Sequence, residues 1–128
     1  MSDLNSFQTI EQLGLDHAKE AQLIALNFFY KKELALPDGI VFNGATYQCD
    51  SDSWDSITKI LSTGTLPNNF YWVDSGNNKI AMNFDELTSL AQAMAAKRFE
   101  VFNKFQLKKD EVRNAEDAYA LLGILNNL

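Results

Sequence analysis

Between residues 16 and 36 apolar positions recur at helical spacing. Leu23, Leu26, Tyr30 and Leu34 lie three and four apart and predict one stripe of an amphipathic helix. Ile24, Phe28 and Phe29 fall outside that stripe, so the apolar arc is wider than one core-facing side needs. Either two layers cover this helix, or part of it meets another chain. Asp16 is placed to cap its start, and Pro37-Asp38-Gly39 stops it. Residues 1–15 carry less pattern and are expected to form a loose N-terminal arm.

After Gly39 the period changes from helical to alternating. Asn43-Gly44 between two β-rich runs is a strong hairpin signal, because both residues accept the positive φ of a type I′ turn. A two-residue turn sets Phe42 against Ala45 and Ile40 against Tyr47. Alternation then puts Ile40, Phe42, Ala45, Tyr47 and Cys49 on one face, with Val41, Thr46 and Gln48 on the other. Asp50 or Ser51 caps a helix over 52–61 that turns Trp54, Ile57, Ile60 and Leu61 inward. A second hairpin follows, "FYWVD", "SGNN" and "KIAM". Pairing Asp74 with Lys79 aligns Val73 with Ile80 and Tyr71 with Met82. Both faces of that hairpin are apolar, which predicts a strand pair covered on two sides.

Asn83 is expected to cap a long helix. Phe84, Leu87, Leu90, Ala91 and Met94 begin its apolar side; Val101, Phe102 and Phe105 continue it, with Phe99 on the flank. No Gly or Pro interrupts it before about Arg113. Thirty residues of helix measure about 45 Å, whereas a compact domain of this size has a radius of gyration of about 14 Å. The helix must break or overhang. Asn114, with acids at 116 and 117, is placed to cap a last helix carrying Ala118, Leu121, Leu122 and Leu125. The pattern predicts an α+β chain. A ββα-ββα core with an antiparallel sheet from two hairpins (37–113) is flanked by an N-terminal helix (16–36) and a C-terminal helix (114–128).

Composition narrows the chemistry. The 128 residues fit one domain. The formal net charge of −6 opposes binding to nucleic acid, which depends on clustered Lys and Arg. Lys31-Lys32, Lys97-Arg98 and the bases from Lys104 to Arg113 are interleaved with acids on predicted helices and read as solvated faces. One Cys and one His rule out an internal disulfide and fall short of a Cys/His zinc site. No segment approaches the ~20 apolar residues of a membrane span, and the polar, acidic N-terminus does not resemble a secretory signal.

The acidic patch Asp50, Asp52, Asp55 has the wrong spacing for a calcium loop. Trp54 stands at its fifth position, no Gly follows at the sixth, and Leu61 stands where a bidentate Glu is required. Helix capping and the helix dipole account for it. His17 reads as exposed and Cys49 as a small buried hydrophobe. The aromatics Phe70, Tyr71 and Trp72 read as sheet packing before a stacking platform. No enzymatic constellation and no cofactor site is expected. Surplus apolar surface is what the pattern leaves unexplained. Phe28, Phe29, Tyr30, Phe99, Phe102, Phe105, Leu121, Leu122 and Leu125 are the residues expected to meet a partner.

The stretch from Ile40 to Val112 resembles an uncharacterised domain family of tail-associated proteins of bacteriophages and prophages, found beside tail-fibre or baseplate genes. The resemblance rests on the order of "IVFNGATYQCD", a Ser-rich helix start, "LPNNFYWVDSGNNKIAM" and "ELTSLAQAMAAKRFEVF". It implies a structural tail component that joins other phage tail proteins, or a tail-fibre assembly chaperone absent from the virion. The expected chain is a homo-oligomer of the virion tail, made in the host bacterial cytoplasm. It has no catalytic residues and no nucleic-acid, membrane or small-molecule partner.

Overall fold

Helix α1 spans Asp3–Leu34 in the computed structural model, which describes residues 3–127. It is followed by β1 (Ile40–Phe42), β2 (Ala45–Tyr47), α2 (Ser51–Ser62), β3 (Tyr71–Val73), β4 (Lys79–Ala81), α3 (Phe84–Asn114) and α4 (Ala118–Leu122), closed by a 3-10 turn at Leu125–Asn127. The class is α+β and the middle is ββα-ββα, as the periodicities predict. The strands pair within each hairpin, giving two separate two-stranded antiparallel sheets. One backbone bond, from the Ser75 N–H to the Thr46 carbonyl at 2.7 Å, ties one hairpin to the other.

The expected arm over 1–15 is helical from Asp3 onward. Nothing in that stretch stops a helix: it lacks Pro, and Gly14 alone costs about 1 kcal/mol. Asp16 consequently lies inside the helix, where it accepts a hydrogen bond from Gln12 Nε2 at 2.8 Å instead of capping. α1 ends where Leu36 takes a left-handed φ of 46° and Gly39 N–H bonds back to the Leu36 carbonyl, a turn with Pro37 at its second position.

The chain divides into two compact units. A hairpin unit is formed by Lys31–Phe102 and a helical unit by the residues up to Tyr30 with those from Asn103 on. In the hairpin unit, β1 and β2 pair as predicted, Ile40 with Tyr47 and Phe42 with Ala45. Asn43 and Gly44 both hold positive φ, 49° and 80°. Ile40, Tyr47 and Cys49 are buried on the inner face, and Val41 on the outer face is 76% exposed. Ile57, Met82, Leu87, Leu90, Met94 and Val101 supply further buried side chains.

The second hairpin departs from its expected register. Tyr71 pairs with Ala81, Trp72 with Ile80 and Val73 with Lys79. The cause is in the turn. Asn77 adopts φ 63° after a turn closed by its N–H on the Asp74 carbonyl, and Asp74 N–H then pairs with the Asn78 carbonyl. The loop is three residues with a left-handed third position, not four. A slip of one residue reverses every side chain. Trp72 and Ile80 are therefore half-buried on one face. Tyr71, Val73, Lys79 and Ala81 are exposed on the other, so the hairpin is covered on one side only.

α3 starts on a reciprocal cap. Glu86 N–H donates to Asn83 Oδ1 at 2.8 Å, and Asn83 N–H donates to Glu86 Oε1 at 3.1 Å. The helix runs unbroken for 31 residues, about 46 Å, giving 84–102 to the hairpin unit and 103–114 to the helical unit. In the helical unit, Leu26, Phe105, Val112, Ala115, Leu121 and Ile124 are buried. The Tyr30 and Phe105 rings lie 5.6 Å apart. Lys19 Nζ donates to the Arg113 carbonyl and Gln22 Nε2 to the Leu121 carbonyl, tying α1 to the end of α3 and to α4. The last helix is capped by Asp117, not Asn114. Asp117 accepts from Ala120 N–H at 2.8 Å, and α4 stops at Gly123 after five residues.

Candidate interaction surface

The acidic patch is a joint of the hairpin unit. Asp50 Oδ1 accepts the Ser53 N–H at 2.9 Å and caps α2. Hydrogen bonds from Ser53, its side chain first and its backbone second, hold the Asp50 carboxyl below the usual aspartate range. Asp52 and Asp55 are exposed on the first turns of the helix. Among the described residues, no group of three or more His, Cys, Asp or Glu is placed to hold a metal ion.

Arg98 organises this joint, and the solvated-face reading of Lys97-Arg98 missed it. From α3 its Nη1 donates to the Cys49 carbonyl at 2.8 Å and to the Leu34 carbonyl at 3.4 Å, while Nη2 donates to Ser51 Oγ at 3.1 Å. One guanidinium thereby holds the end of α1, the end of the first hairpin and the start of α2. Its fork of fixed donors suits this role where a lysine's point charge does not. Of the other bases of α3, Arg113 is exposed, whereas Lys97, Lys104, Lys108 and Lys109 are half-buried. Lys97 pairs with Glu100, Lys108 with Glu111 and Arg113 with Asp110, each three residues along. Such pairs contribute little.

Cys49 is fully buried, and its thiol donates to the Met94 carbonyl at 3.7 Å. Burial pushes its pKa up against the opposing pull of Arg98, so the thiol form is favoured. His17 is exposed on α1. An open groove of about 620 Å³ lies in the hairpin unit, lined among others by Pro67, Asn69, Phe70, Met82 and Asn83. Its one carboxylate, Glu86, is engaged in the reciprocal cap of α3.

The nine residues expected at an interface divide by packing. In the helical unit Phe28 is 63% and Leu122 65% exposed; Phe29 is exposed as well and sets its ring edge-on to Phe28 at 5.7 Å. In the hairpin unit Phe99 is 64% exposed and Phe102 is exposed too, their rings 6.2 Å apart. Tyr30 and Leu125 are half-buried. Phe105 and Leu121 are core residues, 1% and 2% exposed, and are withdrawn from the surface. Phe105 meets Tyr30 and lies under Lys104 Nζ, 5.4 Å from its ring centre. Val41 is exposed on the outer face of the first hairpin, where alternation sets it, though it is not counted among the interface residues; pattern reasoning missed Tyr71 and Val73, exposed on the outer face of the second. The corrected register of β3 and β4 is what would have revealed the last two.

No described helix is long and apolar enough to cross a membrane. A family model described as "Domain of unknown function (DUF4376)" matches residues 17–123. No curated protein and no solved structure matches the chain.

Proposed function

The chain belongs to this DUF4376 family, whose function is not known; on other grounds we propose that it is a structural component of a phage tail, working by protein–protein assembly at the baseplate or the tail-fibre junction. The observation that carries the assembly role is the paired exposed aromatics, Phe28 with Phe29 and Phe99 with Phe102. Apolar surface grouped in this way marks partner sites on soluble proteins. The phage-tail setting is supported by the resemblance that runs from Ile40 to Val112. Its partners in this reading are other tail proteins and further copies of itself. It is made in the host bacterial cytoplasm and ends in the virion. The acids near α2 serve the fold, so the proposal assigns no catalytic residue.

Quantitative mass spectrometry of purified particles tests the role. A fixed copy number per particle is the expected result. A copy number near zero, with the protein abundant in infected cells, overturns it in favour of a fibre-assembly chaperone. Asp52→Ala is expected to leave particle yield unchanged. A large loss with folding intact contradicts a purely structural role.

A further inference from the structure

The side of α1 turned away from the core of the helical unit has a repeat of its own. Gly14, His17, Ala21, Ile24 and Phe28 are all exposed. They stand 3, 4, 3 and 4 residues apart, the spacing with which one helix packs along another. The core-facing side of the same helix is a different set, with Leu26 fully buried and Leu15, Ala18 and Tyr30 half-buried. We propose that this outer seam pairs antiparallel with the same seam of a second copy of the chain.

Size and charge choose that occupant and that direction. In an antiparallel pair, alternate seam positions face each other. Setting Ala21 against Ile24 of the second copy also sets His17 against Phe28 and Gly14 against Lys31. The small residues then face the larger ones, and the two rings share a layer. A parallel pair stacks Ala21 on Ala21 and Phe28 on Phe28, so narrow and crowded layers alternate. The antiparallel alignment also brings Glu11 of one copy beside Lys32 of the other, twice by symmetry. Both residues are exposed. Two chains of net charge −6 repel, so opposite charges placed this way decide whether the copies meet.

The pairing rests on the assembly role proposed above but fails separately from it. A monomeric chain that still enters particles at fixed copy number overturns the pairing and leaves the role standing. The test is light scattering of the full chain at about 100 µM, a concentration suited to a small helix–helix interface. The expected mass is twice 14.4 kDa. Phe28→Glu is expected to halve it while circular dichroism keeps its helical signal. Glu11→Lys is expected to weaken association about tenfold, and Glu11→Lys with Lys32→Glu to restore it. The proposal is overturned by a monomeric wild type, by a dimer indifferent to Phe28→Glu, or by a double swap that does not restore what Glu11→Lys lost.

Discussion

The two hairpins share a plan: two three-residue strands, a turn, then an Asp- or Asn-capped helix. They differ in how their turns and faces are held. The first turns through Asn43-Gly44, keeps its apolar face buried, and is clamped at its end by Arg98. The second turns through Ser75–Asn77, shifts its register by one, and leaves Tyr71 and Val73 exposed. Lys79 Nζ sits 5.0 Å over the Tyr71 ring on that outer face. Both hairpins have an open outer face; the difference teaches that the first is fixed as a joint of the fold, whereas the second carries two large apolar side chains, Tyr71 and Val73, on its open side.

The largest effect that separates them is expected at Gly39, which leads into the first hairpin. It holds φ +63°, and a Cβ there would come within 2.2 Å of the Tyr47 carbonyl oxygen, which is rigid backbone. Gly39→Ala is expected to destabilise the chain by about 3 kcal/mol or more, read as a lower midpoint in urea denaturation. Gly64 makes the control: its φ is +83° but a Cβ meets nothing within 4 Å, so Gly64→Ala is expected to cost only about 1 kcal/mol. Equal losses at the two glycines would show that backbone conformation, not the close approach to Tyr47, governs the joint.

Next in size is the clamp. Arg98→Ala removes bonds to two carbonyls and a hydroxyl and is expected to cost about 2 kcal/mol. Arg98→Lys, lacking the fork, is expected to recover less than half of that loss. Full recovery by lysine would reduce the clamp to simple charge.

Asp50→Ala removes the cap of α2 and is expected to cost about 1 kcal/mol at neutral pH. The pH dependence has a definite sign. The Asp50 carboxyl titrates lower in the folded chain than in the unfolded chain, so the unfolded chain takes up its proton first as pH falls. The capping contribution is present above the unfolded value of about 3.9 and is lost as pH falls through the lower folded value. Wild type and Asp50→Ala should therefore converge in stability below about pH 4. Parallel curves down to the folded value would sever the cap from the charge.

The smallest effect is expected in the second turn. Asn77→Gly relieves a left-handed φ at an exposed site and should leave stability within about 0.5 kcal/mol of wild type, because glycine's unfolded-state entropy offsets the relief. A loss of several times that size would mean that the second turn is as constrained as the first.

Much of this fold is legible in the chain as written. Asn43-Gly44 admits one register, and that register is observed. Asn83 with Glu86, and Asp50 before Ser53, are local caps read within four residues. The second register is hidden because the same letters, "DSGNN", suit a four-residue loop or a three-residue loop with a left-handed asparagine. Only the bonds of Asp74 with Asn77 and Asn78 distinguish them. The surface was half legible. An over-wide apolar arc announced surplus hydrophobic area, yet Phe102 and Phe105 look alike in sequence, and burial within the helical unit takes only Phe105.

The sequence by itself determined the order of elements, the first hairpin's register, the caps of α2 and α3 and the excess of apolar helix surface. Each of these depends on residues a few positions apart, whose conformational preferences act before any distant contact forms. Tertiary structure alone decided that Arg98 is a clamp and not a surface base, because its partners are carbonyls and a hydroxyl from 47 to 64 residues away. It alone decided which aromatics stay outside, because a helix periodicity states that a side is apolar but not what lies against it.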